Sequence, residues 1–442
     1  MINKDKFEDL DKEFYKNRAN VLAQSAVTRN GITESAIDPD VIKKSRHSFS
    51  IELKQGDITD QKQSGRCWMF SALNTMRYRI IHDLNLETFE LSQAYPLFFD
   101  KLEKSNYFLE SIIKTVDEDL QGRLVKYLLA DPLGDGGQWD MFVNLIEKYG
   151  VVPKYAMPEV NLSSATREMD NYLTKMLRFF AKELRSAHKA GKSLEELNKL
   201  KDGFNEDIYR ALTISLGTPP KKIDFEARDK DDKYICEKNL TPKEFFDKYV
   251  KMNLDDFVSL INAPTEDKPY NQTFTVDFLG NVSEGKPVKY LNLEINKLKE
   301  AAIRQLKDNK PVWMGCDVGQ SFIRKEGVLD TEAFRIRDLF DLDFTMSKAE
   351  RLDYSESLMT HAMVFTGVDL DEEGKPIRWK IENSWGERAG NKGYLVMSDG
   401  WFDQYMYQIA VEKKYLTEEE KKDWEKEPIH LKPWDPMGSL AK

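Results

Sequence analysis

Apolar residues recur at three- and four-residue spacings through most of the first 310 positions, and as alternating or continuous runs after that. Met69, Leu73, Met76 and Ile80, with Ala72 beside them, form one face of a helix predicted from Cys67 to about His82. The polar run from Gln61 to Arg66 contains Gly65 and predicts a loop before it. Phe7, Leu10 and Phe14 predict helix over 5–28, ended by Asn30-Gly31. Leu91-Ser92-Gln93 reads as the capped start of another helix. Phe142, Leu145, Ile146 and Tyr149 define one closed by Gly150 and Pro153. Tyr172, Leu173, Met176, Phe179 and Phe180 line a further helix, and Ser193 to Glu196 and Thr241 to Glu244 are capping boxes for two more. Leu298, Ala301, Ala302, Ile303 and Leu306 give the last long one.

Strand signals then take over. Residues 47–53 are strand-like, and Val312–Cys316 and His361–Val368 are apolar runs of buried strands. Arg378–Ile381 alternates, Gly393–Met397 is another strand, and residues 402–411 pair alongside. The tail, with Pro433, Pro436 and Gly438, is predicted to be extended because these residues oppose helix. Helices first and strands later make the fold class α+β.

With 442 residues, the chain exceeds the usual size of one simple domain. Its formal charge of −10, with acids and bases interspersed, speaks against a dedicated nucleic-acid partner. No apolar run is long enough to span a membrane, and the charged N-terminus lacks a signal-peptide core. Cys67, Cys236 and Cys316 form no disulfide framework, and the five histidines have no paired metal-ligand spacing. The expectation is a cytoplasmic protein with reduced thiols, no membrane contact, no metal and no cofactor.

Cys67 sits where the loop becomes the helix, and unpaired N–H groups and the helix dipole lower a thiol's pKa there. Taken alone, that leaves Cys67 equally a nucleophile and a small core residue. A nucleophilic cysteine needs a base, and the base a third group to orient it. His361 at the start of one strand and Asn383 at the end of the next supply those types, although a lone histidine in an apolar strand is more often a satisfied core residue. Cys316, inside a strand, reads as core, and Cys236 has no assigned role. The loop Gly134-Asp135-Gly136-Gly137-Gln138-Trp139 permits close backbone approach, which suits an extended peptide, although the loop alone favours an ordinary surface turn.

The joint pattern resembles a known family. Gln61, Gly65-Arg66-Cys67-Trp68 and Ser71 resemble the nucleophile motif of papain-like cysteine peptidases. Thr360-His361-Ala362 and Asn383-Ser384-Trp385-Gly386 resemble that clan's histidine and asparagine motifs, in the same order. Gly136 to Met141, Val312 to Asp317, Glu356 to Met363 and Pro433 to Gly438 resemble the bleomycin hydrolase and bacterial aminopeptidase C family within the clan. Two departures from simple papain-like enzymes stand out. Cys67 and His361 are 294 positions apart (361 − 67), about twice the roughly 130–150 of that clan. Ser64 stands where secreted relatives carry a disulfide cysteine, in keeping with a reducing compartment.

The resemblance implies a papain-like fold: a helical left part with the nucleophile helix, an antiparallel β right part, a large helical insertion and terminal arms. It divides the chain into an N-terminal helical arm (1–45), a helical subdomain with the nucleophile (46–158) and a mainly helical insertion (159–270). A β-rich subdomain with the histidine and asparagine (271–426) and a C-terminal arm in the cleft (427–442) complete it. It implies a cysteine aminopeptidase acting on peptides. Cys67 attacks, His361 serves as base and acid, Asn383 orients it, Trp385 shields that bond, and the Gln61 side chain with the Cys67 N–H forms the oxyanion hole. Gly136 and Gly137 hold substrate backbone, and Ala441 and Lys442 meet the substrate's ammonium group. It also implies a homohexamer. Alternatives are an oligo-endopeptidase of the same fold, if the tail is trimmed or disordered, and a DNA-binding oligomer. The charge and the intact Cys67, His361, Asn383 and Gln61 speak against the latter.

Overall fold

Successive strand residues face opposite sides of a sheet, so an apolar strand run requires a hydrophobic core on both faces. The computed structural model, which describes residues 2–441 with the side chain of Ala441 excepted, has that arrangement. Its main sheet has 12 strands. From one edge these run Ile429–Leu431, Gln272–Val276, Tyr290–Asn292, Phe257–Ile261, Met406–Glu412 and Val312–Cys316. His361–Leu370, Pro376–Glu382, Tyr394–Ser398, Val328–Leu329 and Phe322–Ile323 follow, and Ile51–Glu52 pairs with His361–Leu370. The six central strands, Phe257–Ile261 through Tyr394–Ser398, are antiparallel throughout. Parallel pairing occurs at three junctions farther out, which the expectation of an antiparallel β part does not include.

Trp313 and Ala362 face one core, built on the helices Cys67–Asp83, Ala94–Lys114 and Trp139–Tyr149. Met314, Cys316, Met363 and Phe365 face the other, under the helix Ile295–Lys307. Cys316 is therefore a core residue, while Cys236 lies exposed on a separate two-stranded ladder, Ile223–Arg228 with Tyr234–Leu240. The pairing of His361 with Cys316 puts the histidine at the end of the ladder, next to Ala362, whose carbonyl meets Ser71 in the first turns of the helix that begins at Cys67.

Two polar side chains, Ser71 and Arg77, tie that helix to the sheet, and Asn74 ties it to the loop that precedes it. Ser71 Oγ donates to the Ala362 carbonyl at 2.9 Å, and Asn74 Nδ2 to Thr59 Oγ1 at 3.0 Å. Arg77 Nη2 donates to Glu382 Oε1 at 2.7 Å, both side chains being buried. Glu382 immediately precedes Asn383, so this ion pair links the helix that begins at Cys67 to the strand that leads into Asn383. Breaking a buried pair strands one charge, whereas replacing both partners with apolar residues does not. Arg77→Met is therefore expected to lower unfolding stability by about 3–5 kcal/mol, and Arg77→Met with Glu382→Leu to recover most of it. Denaturant melts of the two variants check this.

Several elements differ from expectation. The first helix is two, Lys4–Lys16 and Arg18–Asn30, because the Asn17 side chain accepts from the Ala19 N–H at 2.9 Å and starts the second. Within residues 159–270 lie the long helices Arg167–Lys189 and Leu194–Leu216, but also the two-stranded ladder and the main-sheet strand Phe257–Ile261. The tail is not fully extended: Pro436–Ala441 winds into a 3₁₀ turn. Proline is tolerated at a helix start, where its missing N–H has no partner to lose, and the Gly438 N–H bonds back to the Asp435 carbonyl at 3.0 Å.

Candidate active site

The loop before Cys67 is held by its own side chains. Gln61 donates its backbone N–H to the Ser384 carbonyl at 2.9 Å, and its Oε1 accepts from Ser384 Oγ at 2.7 Å. Its Nε2 donates to the Ser64 carbonyl at 2.6 Å, and Ser64 Oγ returns a bond to the Gln61 carbonyl at 2.7 Å. Arg66, wholly buried, donates from Nε to Ser64 Oγ at 2.9 Å and grips Glu159 in a fork of 2.9 and 2.8 Å. The Gly65 N–H donates to Asp135 Oδ2 at 2.7 Å, and a Cβ at Gly65 would lie only 2.7 Å from Asp135 Cβ. Glycine is required there by close approach. Asp135 is paired in turn with the buried Lys101 at 2.7 Å, which also meets Asp170 at 2.8 Å.

Cys67 is the first residue of the helix Cys67–Asp83 and is 5% exposed. Burial pushes its thiol up to about 11; the N–H groups of Ala362 and Trp68 oppose the rise, and the Asp135 carboxylate adds to it. Burial therefore outweighs the expected lowering at the helix start. His361 Nε2 is 2.9 Å from Asn383 Oδ1. That oxygen also accepts the Ser384 N–H at 2.8 Å, so Nε2 is the donor and Nδ1 is left to take a proton. Burial brings His361 down to about 4, against the support of Asn383 and reinforced by the positive charge of Arg324. Each group alone is kept neutral, and moving the thiol proton to the imidazole creates two opposite charges that favour one another. The Trp385 ring lies 4.6 Å from the imidazole, tilted 35°.

The low imidazole pKa carries a stability consequence. Below about pH 6.5 the unfolded chain binds a proton at His361, and the folded chain does not until about pH 4. Stability is therefore expected to fall as pH drops through this window, by up to about 3 kcal/mol, and this contribution levels off below it. Urea melts at pH 7, 5.5 and 4 on the parent and His361→Gln check it; the variant should lose that share of the acid sensitivity.

Gly137 packs on Trp68 so closely that a Cβ would meet the indole at 2.6 Å. Trp68 Nε1 donates to the Asp135 carbonyl at 2.8 Å, which fixes the glycine loop beside the helix that begins at Cys67. The Gly136 carbonyl already accepts from Lys104 Nζ. The C-terminal turn reaches the same place. Its Met437 carbonyl accepts from Gln138 Nε2 at 3.4 Å and from Tyr290 OH at 3.1 Å. Ser439 Oγ donates to the carbonyl of Met359, two residues before His361, at 2.7 Å. Asp435 pairs with Lys268 at 2.9 Å, and the Arg123 guanidinium lies 3.9 Å over Trp434. Lys442 and the Ala441 side chain, to which the sequence assigns substrate contacts, lie outside the described residues.

Cys67, Gln61, His361, Asn383 and Trp385 thus meet at one place, with Gly137 and the arm beside them. Sequence reasoning missed the supports: Lys101, Glu159 and Arg77 sit on ordinary-looking helical or charged segments that carry no signal of their own. Asp135 and Ser384 lay inside the motifs already singled out, and only contact geometry reveals their partners. Among the described residues no group of three or more His, Cys, Asp or Glu could hold a metal ion, and no helix is long and apolar enough to cross a membrane.

Residues 1–438 match the Peptidase C1-like family. The chain is 50% identical over 440 residues to Aminopeptidase C of Streptococcus thermophilus, spanning 100% of this chain and 99% of that one. It is 41% identical over 449 residues to Bleomycin hydrolase of Rattus norvegicus, spanning 100% and 99%. The crystal structure of PepW from Lactobacillus rhamnosis HN001 superposes with a TM-score of 0.97 at 50% identity, covering 99% of each chain. With a helical part, a sheet part and a cysteine, a histidine and an asparagine between them, the chain belongs to the Peptidase C1-like family of papain-like cysteine peptidases.

Proposed function

We propose that this cysteine aminopeptidase cleaves peptides next to a free N-terminus through a Cys67 thioester, with its own C-terminal arm setting that limit. The observation that carries the reading is the buried His361–Asn383 bond of 2.9 Å, which leaves Nδ1 to act as base. His361 takes the Cys67 proton as sulfur attacks the carbonyl carbon, and returns it to the leaving amine as the tetrahedral intermediate collapses. Asn383 holds the tautomer, and the charge on its Oδ1 favours the imidazolium that forms. Trp385 keeps water from that bond. The second Nε2 proton of Gln61, its first being engaged with Ser64, and the Cys67 N–H stabilise the oxyanion, a donor of this kind being worth about 3 kcal/mol. Water, deprotonated by His361, then hydrolyses the thioester.

Gly136 and Gly137 hold the substrate backbone on the flank where Met437 and Ser439 also lie, so the arm leaves room for only a residue or so before the scissile bond. Ala441 and Lys442 present the chain's terminal carboxylate to the substrate ammonium. A cytoplasmic homohexamer without a nucleic-acid partner completes the proposal, supported by the free thiols, the charge of −10 and the family. The test compares matched fluorogenic peptides with free and acetylated N-termini. Cleavage confined to the free form is expected; equal cleavage of both would favour the oligo-endopeptidase reading instead.

A further inference from the structure

We propose that Arg324 anchors the free C-terminal carboxylate of short peptide substrates on the leaving-group side of the site. The inference rests on the reading of Cys67, His361 and Trp385 as the cleavage centre. Arg324 stands at the tip of a hairpin formed by Phe322–Ile323 and Val328–Leu329. Its guanidinium lies 5.3 Å over the Trp385 ring and 5.5 Å over Phe322. Trp385 in turn lies 4.6 Å from the imidazole. Those two steps put the guanidinium about two to three extended residues from the histidine.

The side of the site follows from the chemistry. Gln138 and Met359 hold the arm on one flank of Cys67. None of the arm's contacts is with Trp385, whose ring lies 4.6 Å from the imidazole that protonates the leaving amine, and on this proposal the departing segment passes that ring. Phe322, 6.3 Å from the Trp385 ring, lines a groove of about 1580 Å³ together with Arg324 and Gln320.

Arg324 is also uncommitted. Elsewhere in the groove Arg335 is paired with Asp38 at 2.9 Å, and Arg351 donates to the Met346 and Gln404 carbonyls. Among the described residues Arg324 has aromatic contacts but no ion pair or hydrogen bond. Its neighbours Lys325 and Glu326 offset each other, leaving the tip one positive charge. A guanidinium held against aromatic rings and without a hydrogen-bond partner keeps its N–H donors available, and that planar fork can take a carboxylate in two bonds. Because Arg324 is exposed, the gain is modest.

The test measures kcat/KM for Ala-Gly-Gly and its C-terminal amide, and for Ala-(Gly)5 and its amide. In the parent enzyme the tripeptide acid is expected to exceed its amide about fivefold, mostly through KM, and the hexapeptide pair to differ little. Arg324→Gln should bring the tripeptide ratio to about 1, Arg324→Lys should keep part of it, and Arg335→Gln should leave it as in the parent. Equal cleavage of acid and amide by the parent would overturn the inference while leaving the peptidase intact. A preference that survives Arg324→Gln, or is lost as fully in Arg335→Gln, would overturn it as well.

Discussion

Deleting Met437 to Lys442 is expected to turn an enzyme confined to free N-termini into one that cleaves N-acetylated peptides. The deleted turn supplies the Met437 carbonyl bonded by Tyr290 and Gln138 and the Ser439 hydroxyl on the Met359 carbonyl. Those bonds hold the turn between the glycine loop and the start of the histidine strand. What precedes it has separate anchors, the Lys268–Asp435 pair of 2.9 Å and the Arg123–Trp434 stack of 3.9 Å, so the rest of the arm stays docked. Met437 and Leu440 are buried, and losing them costs about 1.5–3 kcal/mol each of stability, tolerable for a domain of this size. Activity on acetylated substrates should rise roughly 10²-fold, equivalent to lifting a block of about 3 kcal/mol. Mass-spectrometric mapping of the cleaved bonds gives the result. A truncated enzyme that still removes only N-terminal residues would show that the arm does not set the cut.

His361→Ala is expected to reduce kcat/KM by at least about 10⁴-fold, because one side chain activates the nucleophile, protonates the leaving amine and activates water. Burial sharpens the effect: with the thiol pushed up to about 11, little thiolate forms at neutral pH without the imidazole to receive its proton. The loss should therefore shrink as pH rises toward 10, since hydroxide then replaces one of the functions of the histidine. A kcat/KM profile of the variant from pH 6 to 10 distinguishes this from a folding defect, which has no reason to recover with pH. A loss below about tenfold would place the base elsewhere.

The candidate trio was readable only as a joint pattern: the loop-to-helix junction at Cys67 leaves nucleophile and core residue equally open, and the ordered match of the blocks around Cys67, His361 and Asn383 to a known clan is what singled them out. The nucleophile helix, the strands Val312–Cys316 and His361–Leu370, and the boxes at Ser193 and Thr241 follow from periodicity and short-range capping, which are properties of neighbouring residues. The supports are not local. Arg66 meets Glu159 across 93 positions, Gly65 meets Asp135 across 70, and Arg77 meets Glu382 across 305. Nothing near Glu159 or Lys101 distinguishes them from surface charges until folding buries their partners. The thiol pKa was misjudged for the same reason. A helix start is visible in sequence, whereas the burial that outweighs it is set by distant strands. The 3₁₀ turn of the tail likewise depends on a pocket assembled from Tyr290, Gln138 and Leu279.

The central claim is that Cys67 is the nucleophile, and the chain contains its own control: Cys236 is exposed, while Cys67 and Cys316 are buried. Time-resolved labelling with iodoacetamide, with peptide mapping and residual activity measured on the same samples, separates the three thiols. Activity is predicted to fall in step with carboxamidomethylation of Cys67, to be indifferent to that of Cys236, and to be lost while Cys316 is still unlabelled. Full activity in a sample whose Cys67 is fully alkylated would contradict the account.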